Sequence, residues 1–444
     1  MFSKLLLPKI IIVLIAAYFM YTPVDYSNRN YILNGYTDKM SVNTHDTIGV
    51  FIQPTNNFKK AYFILYDLFG NKKDTIISPV YQQLISTTNP WSNGFNYKKT
   101  FSYIVPEHLE SNIYLFEKKI PVIIKNQRPA DIVIVYPLND INLNSNIGGK
   151  SFYPYNSSDT ISSDTLSFKR PYTIGIDPFL KDFFLWISKQ SFNINYVTDI
   201  DLDKSSSFNY AKILIIVGTS SSWTRKARVN FDNYISKGGN ALILSASSIF
   251  WSARYNENKD KIIVYKNCNL DPDRKDPTCS WSEKDYSAQN SIVTDLEYGG
   301  YPAQYPYSFG GFKITAENSP LLVGTNLKKE DTLRIKNRIV DGMFIDFKKY
   351  SSKVGITIKD SFYNNCFKKE LIGFEMASRK GDLRNGVFIV IKKNKNSGII
   401  INTASSDWCS NQGIGGEDSL RIQQITLNMM NLLLNDQNVF SPIH

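Results

Sequence analysis

The fold is decided by one stretch. Ile213-Leu214-Ile215-Ile216-Val217 is followed by Gly218-Thr219-Ser220-Ser221-Ser222-Trp223, a polar and apolar segment from Thr224 to Lys237, Gly238-Gly239, and Ala241-Leu242-Ile243-Leu244-Ser245. The two short apolar runs have the length and β-branching of strands buried on both faces. The segment between them carries apolar residues at helical spacing and predicts a helix over Thr224–Lys237, with Gly238-Gly239 as its left-handed stop. A buried strand, a helix and a second buried strand make a βαβ unit, and hence a parallel sheet.

The same alternation extends outward. Ile132–Tyr136 is another fully apolar run, Pro178–Gln190 places Phe179, Phe183, Phe184, Trp186 and Ile187 at helical spacing, and Asn193–Val197 reads as a strand. Toward the carboxyl end, Gly386–Lys392 and Gly398–Asn402 read as strands and Leu420–Leu434 as a closing helix. Residues 251–385 carry no clear period; they are rich in Tyr, Asp, Pro and Gly, as loops over a pocket or an interface are. Residues 129–444 are therefore expected to form a mostly parallel α/β sandwich. Before them, residues 26–128 show short β-type runs (Thr47–Gln53, Ala61–Tyr66, Asp74–Ile77, Tyr97–Val105, Ile113–Phe116, Ile120–Lys125) separated by turn residues, the pattern of a β-sandwich accessory domain. Gln127-Arg128-Pro129 reads as the linker.

Residues 1–25 read as a signal or membrane anchor. Lys4 and Lys9 precede the uncharged run Ile10–Tyr21, and Leu5–Leu7 lengthens it toward a span over residues 5–21. The membrane is thus one expected partner, and the body is expected to be extracytoplasmic: periplasmic, or anchored in the cytoplasmic membrane. Such a compartment permits disulfides. Cys268, Cys279, Cys366 and Cys409 allow three pairings, and Cys268–Cys279 would close an Asp- and Pro-rich loop. None has the C-x-x-C spacing of a metal or redox site.

Composition excludes several chemistries. The 444 residues contain three histidines, His45, His108 and His444, so no His-based triad or multi-His zinc site can be built between residues 109 and 443. The net charge is +11, from 51 Lys and Arg against 40 Asp and Glu, but the basic residues are scattered and no nucleic-acid motif appears. Ligands of open α/β sheets bind beyond the strands' carboxyl ends. That rule points to Pro137–Tyr153, Thr198–Asp203, Gly218–Thr224, Ala246–Arg254 and Thr403–Cys409. Ser220–Ser222 are read as hydroxyls capping the helix, Gly148-Gly149-Lys150-Ser151 as a turn, and Asp199, Asp201 and Asp203 as having only the opening spacing of a calcium loop.

An ordered set of short segments resembles the large (β) subunit family of N,N-dimethylformamidase in its carboxyl-terminal region. The set is Ile132-Val133-Ile134-Val135, Asn146-Ile147-Gly148-Gly149-Lys150-Ser151-Phe152-Tyr153, Ser167-Phe168-Lys169-Arg170-Pro171-Tyr172 and Tyr196–Leu202. It continues with Val217-Gly218, Trp223, Gly238-Gly239-Asn240, Trp251, Gly373-Phe374-Glu375 and Ser406-Asp407-Trp408, so the likeness runs from about Pro129 to Asn435. The resemblance implies a fold similar to the class I glutamine-amidotransferase sandwich. It also implies an amidohydrolase acting on a small formamide at a mononuclear iron held by two Tyr and one Glu, with a His nearby. Carried over residue by residue, one ligand Tyr stands here as Asn144, the other corresponds to Tyr172, the Glu is Ser221 and the His is Thr219. Amide and hydroxyl groups are poor ligands for a hard ferric ion, so only Tyr172 survives as a metal ligand. The expectation is a divergent relative with a degenerate metal site, no cofactor (iron only if the family site is retained), and a pocket of Asn144, Thr219, Ser221 and Tyr172 for an unknown small molecule or for assembly, with a homo-oligomer left open. Two rivals remain. One is an amidohydrolase with rebuilt chemistry using Glu375 or Asp407 as catalytic base; the other is a cell-surface glycan-binding protein led by the sandwich.

Overall fold

The computed structural model describes residues 32–442 apart from 127, 173, 304–307 and 352–354. The proposed signal or anchor over residues 5–21 lies outside the described residues. Among the described residues, no helix is long and apolar enough to cross a membrane.

Residues 32–125 form two small sheets. Ile32–Thr37, Thr47–Pro54 and Phe101–Ile104 make one, and Ser41–Asn43, Ile120–Lys125, Asn112–Phe116, Phe58–Tyr66 and Lys72–Val80 make the other. Alternate residues meet between them: Ile48, Val50 and Ile52 face Ala61, Phe63, Leu65, Val122 and Ile124. The other face of the five-stranded sheet does not face solvent. Ile113, Leu115 and Ile123 belong to the main core of the rest of the chain, so the sandwich is packed onto the α/β part rather than tethered to it.

The large sheet begins with β1 (Ile132–Tyr136), β2 (Ile194–Thr198), β3 (Ile213–Thr219) and β4 (Asn240–Ala246). It continues with β5 (Asp295–Pro302), β6 (Val340–Gly342), β7 (Lys368–Arg379), β8 (Asp382–Lys392) and β9 (Ile399–Asn402). Their spatial order is β2-β1-β3-β4-β9-β8-β7-β5-β6, with Gly311–Ile314 and Thr332–Arg334 added beside β7 to give eleven strands. Strands β2, β1, β3, β4 and β9 are parallel. From β9 onward every pairing is antiparallel. The expected mostly parallel sheet is therefore corrected to a mixed one, because the stretch without a clear period builds a second, antiparallel half.

The helices cover both faces. Helix α1 (Leu138–Asn144) follows β1, α2 (Pro178–Ile187) precedes β2, α3 (Arg225–Ser236) joins β3 to β4, and α4 (Ser419–Leu434) closes the chain. Leu180, Phe183, Phe184 and Ile187 of α2 pack with Ile422, Ile425, Met429 and Met430 of α4 on one face. Ala227, Phe231, Tyr234 and Ile235 of α3 pack on the other. The Thr224 side chain caps α3 by accepting from Ala227 N at 3.0 Å. Its end is a Schellman stop: Gly238 sits at φ 97°, with Gly239 N donating to Tyr234 O and Gly238 N to Ile235 O. Ser220–Ser222, expected to cap this helix, serve elsewhere, as shown below. Cys268 and Cys279 form the disulfide, while Cys366 and Cys409, also candidates for pairing, are buried free thiols.

Candidate functional site

The spatial order reverses between β1 and β3, and the chain beyond their carboxyl ends lines a cavity of about 770 Å³. Pro137 turns the chain from β1 into α1, which brings Asp140 under the loop after β3. Asp140 Oδ2 accepts from Ser221 N at 2.7 Å and Ser222 N at 3.2 Å, and Oδ1 accepts from Ser221 Oγ. The Asp140 carboxyl is buried, and these donors are neutral. Burial therefore prevails and pushes its pKa up to about 6, against the lowering effect of the Ser221 and Ser222 hydrogen bonds. Tyr153 lies alongside, its hydroxyl within reach of the Ser221 and Trp251 side chains; burial and the Asp140 charge hold that phenol neutral.

Arg170 fixes this wall. Its buried guanidinium donates to the side chain of Asn142 at 2.6 Å and to the carbonyls of Ser145 at 2.9 Å, Ile147 at 3.3 Å and Lys150 at 3.3 Å. The Gly148-Gly149 turn it holds has both residues at positive φ. A Cβ at Gly148 would meet Trp91 N at 2.8 Å, so the turn needs glycine to lie against the sandwich side. This run is a turn, as expected, and not a phosphate loop.

The opposite wall comes from the antiparallel half. The guanidinium of Arg338 lies on the Phe179 ring at 3.4 Å, its Nε donates to Asp407 Oδ1 at 2.9 Å, and its backbone N donates to Asp407 Oδ2 at 2.7 Å. Arg379 donates to Leu296 O at 2.8 Å and pairs with Glu297 at 3.0 Å. Behind them Glu375 accepts from Asn337 Nδ2 at 2.6 Å; burial raises its pKa to about 7, with the hydrogen bond opposing and the Asp407 charge assisting. Asp341, also raised to about 7 by burial, accepts from Ser247 N and Ser248 N at 2.7 and 3.0 Å and holds Ser247 at φ 56° on the cavity wall.

The residues singled out by sequence do not gather at one point. Asn144 and Thr219 line the cavity. Ser221 is buried directly behind, on Asp140. Tyr172 lies at the junction with the sandwich, where its backbone N donates to Gly35 O at 2.7 Å and its ring lines a separate cavity of about 170 Å³. Glu375 and Asp407 are buried behind the wall; Asp407 touches the lining through Arg338, while Glu375 is held by Asn337, which is itself buried and off the cavity. Asp199, Asp201 and Asp203 point apart, so the calcium-loop spacing yields no shared ion site. Asp199 accepts from Asn139 N at 2.7 Å, Asp201 pairs with Lys125 at 2.6 Å, and Asp203 accepts from Thr224 Oγ1 and pairs with Lys259 at 2.8 Å. Asp140, Tyr153 and Arg338 were not foreseen as site residues. Tyr153 and Arg170 stood inside quoted segments; Asp140 carried no motif.

The donor set does not fit a ferric ion. Asn144, Thr219 and Ser221 are neutral, and burial keeps the Tyr172 phenol protonated. Of the two carboxyls lining the cavity among the described residues, Asp140 is already committed to three donors and Asp177 caps α2 by accepting from Phe179 N at 2.8 Å. Among the described residues, the one group of three His, Cys, Asp or Glu ligand atoms is Cys268, Cys279 and Glu283, whose sulfurs are bonded to each other.

The sheet order and cavity define an α/β protein with a cavity at a topological switch point. The sequence profile of the N,N-dimethylformamidase beta subunit-like family, carboxyl-terminal region, matches residues 78–411, and the chain belongs to that family. The match starts within the strand Lys72–Val80 and so takes in part of the sandwich. No curated protein matches the sequence. Among solved structures, a putative ThuA-like protein from Bacteroides uniformis is similar at 15% identity and a TM-score of 0.31, over 59% of this chain and 84% of that one. A likeness that slight carries no argument about fold or function.

Proposed function

We propose that this chain is a member of the family that holds no catalytic iron and uses the switch-point cavity to bind a small polar molecule outside the cytoplasm. The observation that carries the reading is the state of Asp140. Its carboxylate is spent on Ser221 and Ser222, and the inferred ligand positions beside it are Asn144 and Ser221. Without the metal, no Lewis acid polarises an amide and no bound water is activated. Hydrolysis by Glu375 or Asp407 loses support, since neither carboxylate lines the cavity. The order β2-β1-β3-β4-β9, with helices on both faces, supports kinship with the glutamine-amidotransferase type of sandwich.

Elemental analysis of the purified protein, run beside an assay on small formamides, tests the reading. The expected result is substoichiometric iron and no turnover. Stoichiometric iron with turnover would sink it. For the compartment, the Cys268–Cys279 disulfide supports export. Protein unfolded without reductant should then show two reactive thiols, and four after reduction. Four thiols before reduction would refute the export reading.

A further inference from the structure

We infer that the molecule bound in this cavity is a neutral oligosaccharide, seated on the rings of Tyr155 and Tyr301 and held by Asn144, Asn156 and Arg338. The inference rests on the binding role proposed above and adds the ligand class. Tyr155 and Tyr301 are 75% and 62% exposed, yet both line the cavity mouth. Large rings left this open at a cavity rim mark a contact surface. They are not loose. Tyr155 stacks on the more buried Tyr153, ring centroids 5.4 Å apart at 26°, and its hydroxyl feels that of Tyr301. A preorganised ring offers its face to the C–H face of a sugar at small entropic cost.

The polar lining has the matching chemistry. Asn144 and Asn156 are joined, Asn156 Nδ2 donating to the Asn144 carbonyl at 3.2 Å, and both stand on the wall beside the rings. Arg338 spends its Nε on Asp407, and among the described residues its two terminal nitrogens donate no hydrogen bond. Planar amide and guanidinium groups pair with the vicinal hydroxyls of a pyranose. Charge at the lining disfavours an anionic ligand: Arg338 is paired with Asp407 and Arg379 with Glu297, and Asp140 and Asp177 add two further carboxyls. Among the described residues, no unpaired cation is left on the lining to hold an anionic glycan once it arrives. The volume, about 770 Å³, lies in the upper part of the roughly 300–1,000 Å³ range of ligand sites, well beyond what a formamide would fill.

The test is an array of neutral and acidic oligosaccharides probed with the full-length protein, followed by calorimetry with the best-bound oligosaccharide. A neutral oligosaccharide should bind, with affinity changing less than about twofold when salt is raised through the range where the Debye length falls from ~10 to ~3 Å. Tyr155→Ala and Tyr301→Ala should each weaken binding about tenfold without moving the melting temperature, and Tyr155→Phe should retain it. An array with no bound glycan overturns the sugar class while leaving the iron-free reading intact. Binding confined to acidic glycans and lost with salt, or an unchanged affinity in Tyr155→Ala, also overturns it. Stoichiometric iron with formamide turnover would remove the underlying reading instead.

Discussion

The two walls of the cavity are built on different principles. The wall of Asp140 and Ser221 hangs from β1 and β3, strands buried on both faces, and its polar groups are fixed by a buried arginine, Arg170. The wall of Arg338 hangs from the antiparallel half, and its half-exposed guanidinium reaches outward from Asp407, a carboxylate sunk behind it. The first wall keeps its cation inside and its acid at the cavity; the second does the reverse. One is therefore shaped by loop carbonyls that need a donor, the other by buried acids that need a cation or a proton.

Removing the buried arginine should have the largest effect. Arg170→Ala leaves the carbonyls of Asn142, Ser145, Ile147 and Lys150 short of a donor in a buried loop, at about 1–3 kcal/mol for each group that water cannot reach. A loss of about 4 kcal/mol in urea unfolding is expected, and Arg170→Lys should recover only part of it, since an ammonium cannot span the fork. A loss below ~1 kcal/mol would show that the loop is held by its turn alone.

The buried acids should show themselves by pH. A carboxyl whose folded pKa lies above its unfolded value binds protons more readily in the fold, so stability falls as pH rises from the unfolded toward the folded value. For Glu375 this window runs from its ordinary 4.5 to about 7, with burial the main cause. Its cost above pH 8 is on the order of 3 kcal/mol. Glu375→Gln keeps an acceptor for Asn337 and should flatten the stability curve over that window, gaining most at pH 8. Asp140, raised to about 6, should lose stability over a lower window, completed about one pH unit earlier. Asp201 is the contrast in sign. Lys125, together with the Thr198 and Ser41 hydrogen bonds, outweighs burial and lowers its pKa. Its contribution is present above the ordinary carboxylate range and is lost as pH falls below it. Urea midpoints measured from pH 3 to 9 on Glu375→Gln and Asp201→Asn separate the two slopes. Parallel curves for these variants would break the assignment.

The same contrast governs what sequence could reveal. The parallel half is legible because burial on both faces writes strands as unbroken apolar runs; Ile132–Tyr136 is found where expected, and Ile213–Val217 extends by only two residues. Helix α3 was legible through its apolar spacing and the Gly238 stop, whose role depends on local backbone geometry, while its cap proved to be Thr224 and not the serines before it. Strand β7 was not. It opens Lys-Lys-Glu, and its hairpin turns at Lys380-Gly381, where a lysine takes the left-handed conformation that asparagine usually marks. At the site, Asn144 and Thr219 were reachable from their place beyond the strand ends. Asp140 shares that place, within Pro137–Tyr153, but its role was hidden, because a buried carboxylate is recognised only by the donors that fold against it, here eighty-one residues away.

The smallest effect is expected at the guanidinium that the ligand would meet. Arg338 is 41% exposed on its side chain, while its partner Asp407 is fully buried. Ordinarily, stripping the cation from a buried acid is costly. Asp407, however, keeps the Arg338 backbone N at 2.7 Å, Ser406 Oγ at 2.6 Å and Ser410 Oγ at 3.1 Å, and the backbone donor survives any substitution at 338. Arg338→Ala should therefore cost only about 1 kcal/mol in unfolding, in the range of half-exposed pairs. Ligand affinity should fall by more than stability does. If unfolding instead showed a loss near that of Arg170→Ala, the outward guanidinium would be structural, and the two walls would not differ in the way their hydrogen bonds imply.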